Sequence, residues 1–175
     1  MKKIFALLLL LSLCAGPAGA QSLMIGERMP DLPAMEWLDG RMPRRRPFTV
    51  IEFFDSSNEA CIRSLEYTHR LTRKYDTKLH AIVVMRPDDE AGAKLAEEYL
   101  GEGVSIGVDT RYEAFAACGV CFVPFTVLVD GRQRVIWMGE TRRLDEAEFQ
   151  RLYHNRYGFY ENKPLRKRVH RRAPR

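Results

Sequence analysis

Long apolar runs are nearly absent from this 175-residue chain; the one that stands out is Ile4 to Leu13. It is too short for a permanent transmembrane helix. It lies between Lys2-Lys3 and Ala18-Gly19-Ala20, the layout of a secretory signal peptide with its small-residue cleavage site. Residues 1–20 are therefore expected to be removed and the chain exported, to the periplasm or another extracytoplasmic space. A lipid anchor at Cys14 is the less favoured reading, because Leu13 is a poor residue to precede such a site. Cysteine is scarce as well. Without the signal three remain, Cys61, Cys118 and Cys121, and an odd number in an oxidising compartment leaves at least one thiol free or bonded to another molecule.

Histidine is limited to His69, His80, His154 and His170. None is spaced with the cysteines to complete a zinc site, so each is read as surface or packing, and neither metal nor cofactor is expected. Excess positive charge is missing from the body of the chain. The net charge is +5, but residues 161–175 carry +6 and the signal +2, leaving −3 for residues 21–160. That excludes a globally basic nucleic-acid binder. The basic tail 161–175 is expected to be disordered and solvated, with at most weak contact to anionic membrane or an acidic partner. No internal repeat and no second domain is visible, so 21–160 reads as one domain.

What is present alternates between strand and helix. Residues 24–33 carry two prolines that hold the chain extended. Glu36 to Arg41 reads as a short strand and turn, and Met42 to Pro47 as a basic, solvated loop. Phe48 to Phe54 is β-branched and aromatic, a central strand. Ser56, Ser57 and Asn58 are all suited to cap the following helix, whose spacing puts Cys61, Leu65, Thr68, Thr72 and Tyr75 on one face. Leu79 to Met85 is an apolar strand of the kind covered on both faces. A helix is expected from Pro87 to about Leu100-Gly101, with acid in its first turn. Val104 to Val108 is a short strand, Tyr112 to Cys118 a short helix with Gly119 placed to stop it. Phe125 to Val129, Asp130-Gly131 and Val135 to Met138 form a hairpin, and Leu144 to Tyr157 a last helix. This order is α/β, a mixed central β-sheet flanked by helices.

The stretch Thr49-Val-Ile-Glu-Phe-Phe-Asp-Ser-Ser-Asn-Glu-Ala-Cys61 resembles the active-site segment of thioredoxin-like proteins, especially the exported TlpA/ResA-like thiol-disulfide oxidoreductases. Their strand ends in Phe-Trp or Phe-Phe and runs into Trp-Cys-x-x-Cys at a helix start. On that pattern Phe53 and Phe54 are the aromatic pair, Ser57 takes the tryptophan position, Asn58 the first cysteine and Cys61 the second. Residues 24–33 resemble the entry segment of the same exported domains. The resemblance extends from about Met24 to Gly158 and implies a thioredoxin-like fold. Peroxiredoxin-like proteins have a proline between strand and cysteine that Phe54 to Cys61 lacks.

The resemblance also implies roles. Cys61 would be the shielded, resolving thiol; the plain alternative is a buried cysteine packed as a small hydrophobe. Its place in the first helical turn lowers a thiol pKa, while its inward phase raises it. Glu52 would lie beneath Cys61 and relay its proton, the alternative being a surface-facing glutamate; Val50, Ile51, Phe53 and Phe54 leave little room for a solvent face. Val123-Pro124 matches the family's cis-proline loop, where the backbone of Val123 would pair with a bound peptide. Cys118 and Cys121 form a C-x-x-C outside the family's redox position, and three readings stand open. They form a local disulfide, or one of them approaches Cys61 and replaces the missing thiol, or Cys118 is core and Cys121 a free surface thiol.

Exchange requires one thiolate to attack and a second thiol to resolve, and Asn58 removes the usual attacker. The expected function is thus an exported protein related to thiol-disulfide exchange, monothiol or atypical if active, with protein thiols or disulfides as partners. The alternative is a non-catalytic module holding an extended peptide segment at Val123, Pro124 and Asn58.

Overall fold

The computed structural model describes residues 23–40, 43, 46–101 and 103–155. The expected signal, Cys14 and the basic tail lie outside the described residues, as does half of the loop 42–47. Six strands form one mixed sheet: β1 (Glu36–Trp37), β2 (Phe48–Phe54), β3 (Leu79–Met85), β4 (Val104–Val108), β5 (Phe125–Asp130) and β6 (Val135–Gly139), in the order β1-β4-β3-β2-β5-β6. β2, β3 and β4 run parallel, and β1, β5 and β6 pair antiparallel to their neighbours. This is the α/β mixed sheet that the alternation of elements predicts.

Alternation along the two central strands sorts their side chains between two cores. Phe48, Val50, Phe54, Leu79, Ala81, Val83 and Met85 share one buried cluster with residues of three helices. These are α1 (Glu59–Lys74), α2 (Glu90–Glu97) and, after Thr141–Arg143 as a 3₁₀ turn, α4 (Glu146–Tyr153). Ile51, Phe53, Ile82 and Val84 face the other way, against α3 (Glu113–Ala117) and Met29 of the N-terminal segment. Every residue of β2 and β3 is buried, so both faces are covered, which is why these strands are apolar on both sides. Each fully buried Phe or Leu contributes about 1.5–3 kcal/mol relative to exposure. The extended N-terminal segment hydrogen-bonds along β6 and its turn, with Gly26 N–H to Val135 O (2.7 Å) and Met29 N–H to Gln133 O (2.8 Å). It shields an otherwise open sheet edge.

Two helices are shorter than the sequence implies. α2 starts at Glu90 rather than Pro87, because Asp89 caps it by accepting from Gly92 N–H at 2.9 Å; its regular part ends at Glu97. α4 starts at Glu146 rather than Leu144, because Asp145 caps it by accepting from Glu148 N–H at 2.7 Å. In both, an Asp side chain satisfies the free N-terminal amides better than the residue before it.

Candidate active site

The end of β2 delivers the chain to α1 through Asp55, Ser56 and Ser57. Asp89 fastens this turn from α2: it accepts the Ser56 N–H at 2.7 Å and also the Ser56 hydroxyl. Asp55 accepts from Ser57 N–H (3.0 Å) and Oγ (2.6 Å), and meets Arg86 at 3.4 Å. Of the three capping candidates, Asn58 is the cap; its Oδ1 accepts from Ala60 N–H at 2.9 Å. Its Nδ2 donates to the carbonyl of Val123 at 2.9 Å. The Val123–Pro124 peptide bond is cis. Asn58, Val123 and Pro124 are thus brought together across the gap between the α1 N-terminus and the loop entering β5.

One turn further, Cys61 points inward and is 0 % exposed. Burial pushes its thiol up to about 11, and the charges of Glu52, Asp55 and Asp89 push the same way against a backbone hydrogen bond at Asp55 that lowers it. The helix start that lowers a thiol pKa is therefore outweighed by desolvation and acidic neighbours. Glu52 occupies the α1 side of β2 and is also 0 % exposed, not surface-facing. Thr68 Oγ1 donates to its Oε2 at 2.5 Å, while Oε1 has no hydrogen-bond partner among the described residues. Burial raises the Glu52 carboxyl to about 7, against the hydroxyls of Ser64, Thr68 and Thr141, which favour the charged form.

Those hydroxyls belong to a chain that the sequence did not announce. Ser64 donates to Thr141 Oγ1 at 2.6 Å, and the hydroxyls of Thr141 and Thr126 hydrogen-bond at 2.5 Å. Ser64 follows Cys61 by three residues, so helical phase alone could have placed it inward. Nothing in the sequence pattern points to Thr141, which arrives from the 3₁₀ turn.

Cys118 and Cys121 lie elsewhere and apart from each other in environment. All three cysteines of the described residues are free. Cys118 ends α3, 4 % exposed, with its thiol raised to about 11 by burial and then by Asp109. Asp109 caps that helix, accepting from Ala114 N–H at 2.8 Å and Glu113 N–H at 3.0 Å. Gly119 follows at φ +62°, the left-handed stop that a residue with a side chain adopts at a cost. Cys121 is exposed, and its thiol donates to Gly119 O at 3.5 Å. This arrangement matches the reading of Cys118 as core and Cys121 as surface thiol; no sulfur bridges to Cys61. Among the described residues no group of three or more His, Cys, Asp or Glu could hold a metal ion. His80 is buried against Ser105 (3.1 Å) and held neutral, its pKa lowered to about 4 by burial.

The sequence matches no protein-family model and no curated protein. The backbone, by contrast, matches solved structures over most of its length. One is a thioredoxin-like protein in its oxidised form (22 % identity, TM-score 0.60, covering 73 % of this chain and 95 % of that one). Another is the thioredoxin domain of a thiol-disulfide oxidoreductase from Bacteroides vulgatus (16 %, 0.59, 79 % and 99 %). A third is the exposed lipoprotein thioredoxin of Streptococcus pneumoniae (19 %, 0.54, 69 % and 96 %). The chain has a thioredoxin-like fold. Within the thioredoxin-like fold, its distinctive chemistry is one buried thiol over a buried acid, a carboxamide at the head of the helix, and one accessible thiol in the loop before Pro124.

Proposed function

We propose that this chain is an exported thiol-disulfide exchange protein of the TlpA/ResA kind that works through a single exposed thiol, Cys121, instead of a dithiol pair. The observation that carries this is the segregation of its thiols: Cys61 and Cys118 are buried with pKa values near 11, and Cys121 alone faces solvent. At pH 8 only about one in a thousand molecules carries a thiolate at a site of pKa 11, and burial bars a disulfide from reaching it. The layout of residues 1–20, a charged start, an apolar run and small residues at 18–20, supports export.

In the exchange step the Cys121 thiolate attacks one sulfur of a partner disulfide. A Cys121–sulfur bond forms, the partner S–S bond breaks, and the departing thiolate takes a proton from water. A second thiol, from the partner or from a small thiol of the compartment, then attacks the mixed disulfide and releases Cys121. Cys61 and Glu52 are the buried thiol and buried acid of the site; Cys61 stays a thiol at neutral pH, while Glu52, raised to about 7, divides between its two forms there. A module that holds peptides at the Val123 carbonyl is the weaker reading, because Asn58 already donates to that acceptor and would compete with a peptide for it.

The test is reaction of the native protein with 5,5′-dithiobis(2-nitrobenzoate) at pH 8, followed by peptide mass spectrometry. One adduct is expected, at Cys121, released by added thiol; the other two cysteines should react only in denaturant. Cys121→Ser should leave no fast adduct. Faster reaction at Cys61 or Cys118, or a Cys121 adduct that added thiol cannot discharge, would overturn the proposal.

A further inference from the structure

The two ends of the Asn58 carboxamide do separable jobs. Capping Ala60 N–H through Oδ1 is work that Ser or Asp performs as well. The Nδ2 bond is different: it reaches across 65 positions to the carbonyl of half-buried Val123. Val123 lies just outside the sheet, since the pairing of β5 with β2 begins at Phe125 opposite Phe53. A main-chain carbonyl next to the start of a strand is the group that an extended partner segment uses when it adds by backbone hydrogen bonding. Here a side-chain amide of the chain itself already donates to it.

We infer that Asn58 is a specificity-determining residue: by donating to the Val123 carbonyl it disfavours extended peptides at the loop at Pro124 and favours compact disulfides as the substrates of Cys121. The substrate half of this rests on exchange at Cys121; the selection against peptides rests on Asn58 alone. The surroundings of Cys121 suit a compact ligand. Its side chain borders an open cavity of about 400 Å³, shared with Arg86, Tyr112, Phe115 and Val120, within the size range of small-molecule sites. An incoming peptide N–H would compete with the carboxamide for that carbonyl. A net hydrogen bond of that kind corresponds to about a tenfold loss of affinity.

The probe is a cysteine-free extended nonapeptide, titrated into the isotope-labelled mature protein with the Val123 and Phe125 amide resonances as readout. Wild type is compared with Asn58→Asp and Asn58→Ser, which retain a capping oxygen and lose the donor. Saturable binding about tenfold tighter in both variants than in wild type is expected. Equal affinity in all three proteins, including no binding in any, overturns the inference. In parallel, each protein reacts with dithiobis(nitrobenzoate) and with the same peptide carrying one cysteine capped by thionitrobenzoate, so the leaving group is identical. The ratio of peptide rate to small-disulfide rate should rise about tenfold in both variants; an unchanged ratio sinks the substrate half. A wild-type Cys121 that reacts with neither disulfide removes the exchange reading and with it the substrate half, while the peptide titration still decides what Asn58 does.

Discussion

At the start of α1, Cys61 lies out of solvent above a buried carboxyl; in the loop before Pro124, Cys121 lies in solvent with one carbonyl for company. The first region has what surrounds a redox thiol, a helix N-terminus and an acid with a pKa near 7, and lacks an accessible sulfur. The second has an accessible sulfur and little around it. The contrast teaches that helix position alone does not activate a thiol. Desolvation and three nearby carboxylates outweigh the helix end at Cys61, so the thiol best placed by sequence is chemically the quieter one.

The strongest way to break this contrast is to give the first region its accessible sulfur. Asn58→Cys puts a thiol at the head of α1, where thiol pKa values fall toward neutrality. Its reaction with small disulfides at pH 7 should exceed that of Cys61 by about 10³-fold or more. A 58–61 disulfide should then form under mild oxidation, with insulin-reduction activity expected to exceed that of the wild type. Mass mapping that finds no 58–61 bond would show that the two residues are not placed as described.

Next in size is the buried acid. Glu52 binds its proton more tightly in the folded protein (about 7) than an exposed glutamate does (4.5). The folded state therefore loses stability as pH rises between those values, and above pH 7 the loss totals about 3 kcal/mol. Glu52→Gln should abolish that slope, so the difference in urea-unfolding free energy between variant and wild type should shift in favour of the variant by about 3 kcal/mol from pH 4.5 to pH 8. Parallel pH curves for the two proteins would show that Glu52 does not titrate as a buried acid. The same variant removes a negative charge that raises Cys61, so the alkylation profile of Cys61 should move to lower pH.

A smaller effect is expected in the loop. A disulfide between Cys118 and Cys121 closes a very short ring, worth about 2 kcal/mol at most in chain entropy, and forming it must bring Cys118 out of the core. Oxidation should therefore change the melting temperature by a few degrees at most, while abolishing the reaction of Cys121 with small disulfides. Disulfide mapping and melting before and after reduction check this. The smallest change is Asn58→Ala, which loses the α1 cap and the bond to Val123 together. It should cost about 1–2 kcal/mol in unfolding free energy, with Asn58→Ser recovering roughly half. Equal stability of Ala and Ser variants would mean that the cap carries none of it.

Much of this site was legible in the chain. Phe48 to Phe54 and Leu79 to Met85 coincide with the strands that form. The spacing of Cys61, Leu65, Thr68 and Thr72 marks the face that is buried. Glu52 could be assigned to the interior because its neighbours left no face for water. Capping was harder to read: Asp89 and Asp145 shortened two helices, since capping depends on which side chain meets free amides and not on composition. The C-x-x-C at Cys118 left three readings open because a four-residue spacing across a helix end does not say which sulfur turns inward.

What the sequence determined by itself is therefore local: the strand and helix periods, a helix start among Ser56, Ser57 and Asn58, and the inward phase of Cys61. These follow from backbone geometry that repeats every two or every 3.6 residues. Tertiary structure alone decided the rest. It set the carboxamide of Asn58 on the Val123 carbonyl, 65 positions away, and carried Thr141 across 77 positions to Ser64. It buried Cys118 at the end of α3 and left Cys121 outside. Such contacts have no period, because they depend on how β5 and the 3₁₀ turn dock against α1, and it is they that separate an accessible thiol from an inert one.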